Sequence, residues 1–334
     1  MAPITSSSKV LVTGANGYLA CWIAKVILDR GHTVIGTVRS PPKGEYLKKL
    51  FGDKFSYVLV DDIAKPGAFD EAIKLGVDGV VHTASPVSTA PGGDPALFLG
   101  PAVKGTTGLL ESVSKYGPTV KRVVITSSVA ASLGVKEGQY TYTEADWNED
   151  SPGIVEKEGT NAGWHLYRAS KVLSERAAWE FAKKQDSFDL VTILPSGPLI
   201  HEVNGVDSLN ATSRLFWNNA TLQDDPVKGK GISLNFVDVR DNALAHAVAL
   251  ESPDAGGERF LVNAGTFTWQ DQKDILREAG FTEVAEGIPG SGKTHVPDVF
   301  VDGSKATRLL GVTYRQLGEV SVDMYKSLKE RLAE

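Results

Sequence analysis

Cysteine is almost missing from this chain: Cys21 is the only one among 334 residues. No intrachain disulfide can form, and no cysteine-based zinc site exists. Histidine is sparse as well, with six scattered residues and no H-x-x-x-H spacing, so no metal site is expected. No segment approaches the ~20 apolar residues needed to cross a bilayer. The opening MAPITSSSKVLVTG has no basic stretch followed by a long apolar run, so no secretory signal is expected in these residues. An excess of positive charge is also missing: 35 Lys and Arg stand against 41 Asp and Glu, a net charge of -6. Nucleic acid and anionic membranes are therefore not expected partners, although one basic pocket for a phosphate is compatible with that balance. Repeats, low-complexity tracts and Pro/Gly/Ser-rich linkers are absent too. The expected location is the cytoplasm and the expected partner a small molecule, with the protein a monomer or homodimer. The sequons at Asn210 and Asn219 read as chance matches.

What is present is a regular alternation. KVLVTG (9–14), HTVIGTVR (32–39), SYVLVDD (56–62), GVVHTAS (79–85), KRVVITSS (121–128) and FDLVTILP (188–195) are short β-branched runs separated by helical stretches. Continuous apolar runs, rather than in/out alternation, indicate strands buried on both faces. Strands alternating with helices indicate right-handed crossovers and a parallel sheet. The expected fold class is α/β, a Rossmann-type doubly wound parallel sheet over residues 1–195. After Pro195 the pattern loosens into a smaller, partly discontinuous C-terminal substrate lobe, 196–231 and 266–334, with 232–265 returning to the main sheet.

The first strand ends in TGANGYLA. Gly14, Ala15, Asn16, Gly17, Tyr18 and Leu19 belong to a Gly14-x-x-Gly17-x-x-Ala20 turn that opens the first helix, read through GYLACWIAKVILDRG. Such a turn lets the backbone approach a pyrophosphate, which rests on unsatisfied N–H groups at the helix N-terminus. At the end of the second strand, where an Asp or Glu would hold ribose hydroxyls, stand Arg39 and, shortly after, Lys43. Two cations there suit a 2′-phosphate, so the expected cofactor is NADP(H). Asp62 and Ile63, ending the third strand, are placed to meet the adenine. Thr83, Ala84 and Ser85, after the fourth, line the pyrophosphate and ribose path.

Tyr167 and Lys171 are four apart in YRASK, so on a helix the phenol and the ammonium share a face. An ammonium beside a phenol stabilises phenolate, which suits a Tyr that donates its proton to a carbonyl oxygen. Ser127 and Ser128, ending the fifth strand, offer a hydroxyl that polarises that carbonyl. With VTGANGYLA, GTVRS, VVHTASPV, RVVITSSVAA, YRASKVLSERAAWEF and FVDVRDNALAHAVAL, the chain resembles the extended short-chain dehydrogenase/reductase family over nearly its full length. Within that family it is most similar to fungal NADPH-dependent aldehyde, ketone and methylglyoxal reductases related to dihydroflavonol 4-reductase. The resemblance implies Ser128, rather than Ser127, as the catalytic serine, with Tyr167 as acid/base and Lys171 as its partner. It also implies cofactor contacts at Pro198, Leu199 and Thr212. Proline has no N–H, so the nicotinamide carboxamide would be held by Leu199 or by a side chain.

Val87, Val129, Phe216 and Trp217 are expected to shape an apolar pocket for an aldehyde or ketone. Asp238 reads as a helix cap. A sugar-nucleotide epimerase or dehydratase on the same fold, which keeps NAD(H), disagrees with Arg39 and Lys43. A non-catalytic NADP(H) sensor disagrees with the intact Tyr–Lys pair. One string competes for the phosphate: GIPGSGKT (287–294) fits G-x-x-x-x-G-K-[ST]. It follows no buried strand, and HVPDVFVD after it opposes a helix, so it reads as a surface turn.

Overall fold

A computed structural model describes residues 3–86, 94–199, 210–221 and 233–332. In chain order the first half runs β1 (Lys9–Thr13), α1 (Tyr18–Asp29), β2 (Thr33–Val38), α2 (Pro41–Phe51), β3 (Phe55–Leu59), α3 (Asp70–Ile73), β4 (Gly79–His82), α4 (Pro95–Tyr116) and β5 (Arg122–Thr126). Next come β6 (Tyr140–Tyr142), α5 (Asp150–Glu158), α6 (Trp164–Ala182), β7 (Asp189–Pro195), β8 (Gly197–Leu199) and α7 (Ala211–Thr221). The remainder is β9 (Leu234–Asp238), α8 (Val239–Glu251), β10 (Arg259–Val262), β11 (Gly265–Phe267), α9 (Trp269–Glu278), β12 (Val299–Val301), α10 (Ser304–Leu310) and α11 (Leu317–Leu332).

Seven strands form one sheet in the order β10-β7-β5-β4-β1-β2-β3, and every pairing is parallel. The central strands are buried along almost their whole length, as their unbroken apolar runs require, while the edge strand β3 is half open. On one face α1, α8 and α10 cover Val10, Val12, Val81 and Val124. On the other, α3, α4 and α6 cover Leu11, Val80, Val123 and Ile125. The chain leaves β1 in one direction toward β2 and β3 and returns on the other side through β4. That reversal makes this a Rossmann-type doubly wound sheet, with its crevice at the carboxyl ends of β1 and β4.

Local chemistry sets where the helices begin. Asp94 accepts from Ala96 N before Pro95 opens α4, and Asp238 accepts from Arg240 N at the start of α8. Thr268 and Asp271 form a reciprocal capping box on α9. α3 is only one turn long, bracketed by Gly67 and Gly76 at positive φ, shorter than AFDEAIKLG suggests.

The lobe has its own core, in which Phe216, Phe236, Phe267, Trp269 and Tyr325 meet. Its sheet, β11-β9-β8, contains β9, whereas the sequence reading returned 232–265 to the main sheet. Only α8 and β10 of that stretch make the return. β10 is buried at all four residues, as a strand between two helical layers must be, while Leu234 and Asn235 of β9 are half-buried.

Candidate active site

At the carboxyl ends of the main strands lies a cleft of about 300 Å³. Its floor is the turn after β1. Gly14 sits at φ +64°, and a Cβ there would come within 3.3 Å of Ala84 Cα. A Cβ on Gly17 would stand 3.1 Å from Gly14 O. The turn therefore needs glycine at both places. Asn16, Tyr18, Leu19 and Ala20 complete this floor. α1 starts here with no side-chain cap and no acidic residue in its first turn, so its N-terminus opens on the cleft.

A buried knot holds β1 to β4 beneath that floor. Thr13 Oγ1 accepts from Thr83 N and Ala84 N, both at 3.1 Å, and lies 2.8 Å from His82 Nδ1. With its acceptor directions taken, the hydroxyl donates to Nδ1, which assigns the hydrogen of His82 to Nε2. Burial, and secondarily the Lys171 charge, pushes His82 down to about 3, so the ring is neutral.

Thr37, Val38, Arg39, Lys43, Val60 and Ile63, from β2, β3 and the segments after them, line one end of the cleft, and Thr83, Ala84, Ser85 and Thr126, after β4 and at the end of β5, line the other. Arg39 and Lys43 are exposed, and among the described residues neither has an ion-pair partner. Two uncompensated cations at one end and a bare helix N-terminus in the middle fit a dinucleotide carrying an extra phosphate.

At the Thr126 end the Tyr–Lys helix arrives. Lys171 Nζ, half-buried on α6, lies 3.4 Å from Thr126 O and 5.9 Å from the centre of the Tyr167 ring. The two serines ending β5 point to different places. Ser127 Oγ donates to the buried Glu175 carboxylate at 2.6 Å. Ser128, in extended conformation, accepts from Ala130 N at 3.2 Å and keeps its own proton for another acceptor. Lys171 thus reaches Thr126, a residue of the cleft lining, with Tyr167 on the same helix and Ser128 two residues beyond Thr126.

Other sequence candidates fall elsewhere. Asp62 is exposed and caps its own turn through Ala64 N, outside the cleft wall that Ile63 joins. Ala15 is buried beneath the turn, its N–H donating to Thr37 O. Val129 packs with Ala131, Val172 and Leu194 behind β5. Phe216 is wholly buried in the lobe core, so it backs any pocket rather than facing it. Trp217, half-buried beside it, stacks on Tyr325 with ring centres 5.5 Å apart. Pro198 and Leu199 form β8, paired with Val237 and Asp238. Thr212 lies in the first turn of α7, where Asn210 accepts from its N–H. Val87 lies outside the described residues.

The sequence reading did not single out Thr37, Val38, Val60 or Thr126, which have no motif beyond being strand ends, nor the buried His82. Asn219, the second sequon residue, is buried and donates to Trp269 O. GIPGSGKT is a turn whose Ser291–Thr294 segment is a short 3-10 helix; Asp274 accepts from Gly290 N. A carboxylate already occupies the place a phosphate would need.

Residues 10–265 match the model of the NAD dependent epimerase/dehydratase family. The ketoreductase azaE of Aspergillus niger is 40% identical, over 97% of this chain and 98% of its own. The NADPH-dependent methylglyoxal reductase GRE2 of Saccharomyces cerevisiae is 36% identical, over 94% and 96%. The crystal structure of yeast methylglyoxal/isovaleraldehyde reductase complexed with NADPH superposes with a TM-score of 0.87 at 32% identity, covering 96% of this chain and 98% of that one. With the parallel sheet, the glycine turn and the Tyr–Lys helix in one continuous match, the chain belongs to the NAD dependent epimerase/dehydratase family, within the extended short-chain dehydrogenases/reductases.

Proposed function

We propose that this protein is an NADPH-dependent carbonyl reductase that converts an aldehyde or ketone to an alcohol. The observation that carries the reading is the cleft itself. One end presents Arg39 and Lys43 without counterions, and the other ends where Lys171 meets Thr126 O. The reductases named above, at 36–40% identity, support the same reading. When bound, NADPH supplies the hydride that reduces the carbonyl carbon. Arg39 and Lys43 would hold the 2′-phosphate, and Gly14, Gly17 and the first turn of α1 the pyrophosphate.

The chain's own groups handle the proton. The Ser128 hydroxyl donates a hydrogen bond to the substrate oxygen and orients it. Tyr167 gives its phenolic proton to that oxygen as negative charge develops there, and the Lys171 ammonium stabilises the phenolate left behind. The family name also covers epimerases and dehydratases, which would retain NAD; two cations where ribose hydroxyls would be held disfavour that alternative.

The test is steady-state oxidation of NADPH and NADH with a panel of small aldehydes and aryl ketones. Turnover should require NADPH, and Tyr167→Phe should lower kcat/KM by ~10² to 10⁴ while NADPH still binds. Retention of wild-type turnover in that variant would remove Tyr167 from the role of acid.

A further inference from the structure

Behind the serine, phenol and ammonium lies a second charged group that the reaction itself does not use. Glu175 follows Lys171 by one helical turn and Tyr167 by two, and it is 1% exposed. Its Oε2 accepts from Ser127 Oγ at 2.6 Å. Its Oε1 accepts from Arg259 Nε at 2.7 Å and from Thr192 Oγ1 at 2.9 Å. Arg259 is fixed in turn: it donates to Asp146 O at 3.0 Å, and its guanidinium covers the Trp147 ring at 3.8 Å. One carboxylate therefore ties α6 to three adjacent main-sheet strands, at the end of β5, in β7 and in β10.

Burying an ion pair is a poor way to gain stability, because apolar residues of similar volume do as well or better. What the pair supplies that apolar packing does not is direction. Convergent donors set both the rotation of α6 about its axis and its slide along the sheet. Ser127 is drawn inward, and Ser128 follows it in extended backbone. Successive side chains in extended backbone point to opposite sides, so holding Ser127 in the core directs Ser128 away from it.

We propose that Glu175 is a positioning residue for the reaction. Through Ser127 it fixes Ser128, and through its own helix it fixes Tyr167 and Lys171, so that hydroxyl and phenol address one carbonyl oxygen. This rests on the carbonyl-reductase reading above.

The experiment uses the full chain, NADPH, and a carbonyl compound that the wild type reduces. Ser127→Ala removes one hydrogen bond and uncovers no charge, so the Glu175–Arg259 pair survives. Its kcat should fall on the order of tenfold, given that displacements of about 1 Å can cost ~10²-fold. The NADPH dissociation constant, read by nicotinamide fluorescence without turnover, should stay within about twofold on the same reasoning. Glu175→Gln should lose more, up to ~10²-fold in kcat, and Glu175→Asp should recover part of it. If Glu175→Gln does not fold, Ser127→Ala decides alone. Unimpaired kcat in folded variants, or losses of kcat and NADPH affinity in equal proportion, would overturn the positioning role and leave the reductase reading standing. A wild type that reduces no carbonyl compound would overturn both.

Discussion

Single residues carry the cofactor choice. Arg39 and Lys43 line the cleft, and among the described residues no carboxylate pairs with either, so none of these competes with a bound phosphate for their charge. Arg39→Asp removes a charge-assisted hydrogen bond and adds repulsion. Hydrogen bonds to charged groups are worth roughly 1.5–3 kcal/mol, so NADPH affinity should fall on the order of 10- to 100-fold. NADH affinity should change little, and fluorescence titration with both nucleotides checks the difference. An unchanged preference would place the 2′-phosphate elsewhere. The same scale shows why two adjacent serines, indistinguishable by residue type, differ in structure. Ser127 has a partner 48 positions along the chain, and among the described residues Ser128 has only a local backbone contact. That separation is invisible in VVITSSVAAS.

At the scale of elements, strands buried on both faces were legible because a continuous apolar run has few other solutions. β1, β2, β4, β5 and β7 fall within the runs that mark them. The three-residue strands β6, β8, β11 and β12 carry no period, and they exist only because a partner from elsewhere in the chain arrives beside them. β2 illustrates how an element serves the site. A Cβ at Gly36 would lie 2.6 Å from Phe55 Cζ and 2.7 Å from Ala15 Cβ. Ala15 is part of the glycine turn and cannot retreat, since its N–H is bonded to Thr37 O. Gly36→Ala should therefore destabilise the fold by about 1–3 kcal/mol, as overpacking does, and weaken NADPH binding through the displaced turn. Urea unfolding and nucleotide titration on the same variant measure the two effects.

The whole molecule stores an acid sensitivity in two histidines. His82 and His246 are completely buried and neutral, pushed down to about 3 and about 4 by loss of hydration. His246 donates from Nδ1 to Asn242 O and accepts from the Thr126 hydroxyl, so both ring nitrogens are engaged as a neutral ring. In the unfolded chain each ring would titrate near ~6.5. Below that pH the unfolded state binds protons that the folded state refuses, which favours unfolding. Their stabilisation is thus complete above pH ~6.5 and is lost as the pH falls toward the folded values, by about 1.4 kcal/mol per pH unit for each histidine. Asp241, raised mainly by burial, offsets part of this at the acid end. Urea midpoints should hold from pH 7.5 down to about 6.5 and fall from there toward pH 5, and that fall should be roughly halved in His246→Gln. A flat profile would mean that these rings are charged in the folded protein.

The sequence by itself determined the parallel sheet, the glycine turn at its switch point, the two cations after the second strand and the Tyr–Lys spacing. Each of these is local: a run of residues, a turn or one helical period is enough to specify it. Only the tertiary structure decided which serine bonds a buried carboxylate, that β9 leaves the main sheet, and that Glu175 meets Ser127, Thr192 and Arg259. It also separated the two glycine-rich strings, one opening onto a bare helix N-terminus and the other folded around Asp274. Those outcomes depend on groups up to 84 positions apart being buried together, and burial in a shared, water-poor interior is a property of the packed chain rather than of any stretch of it.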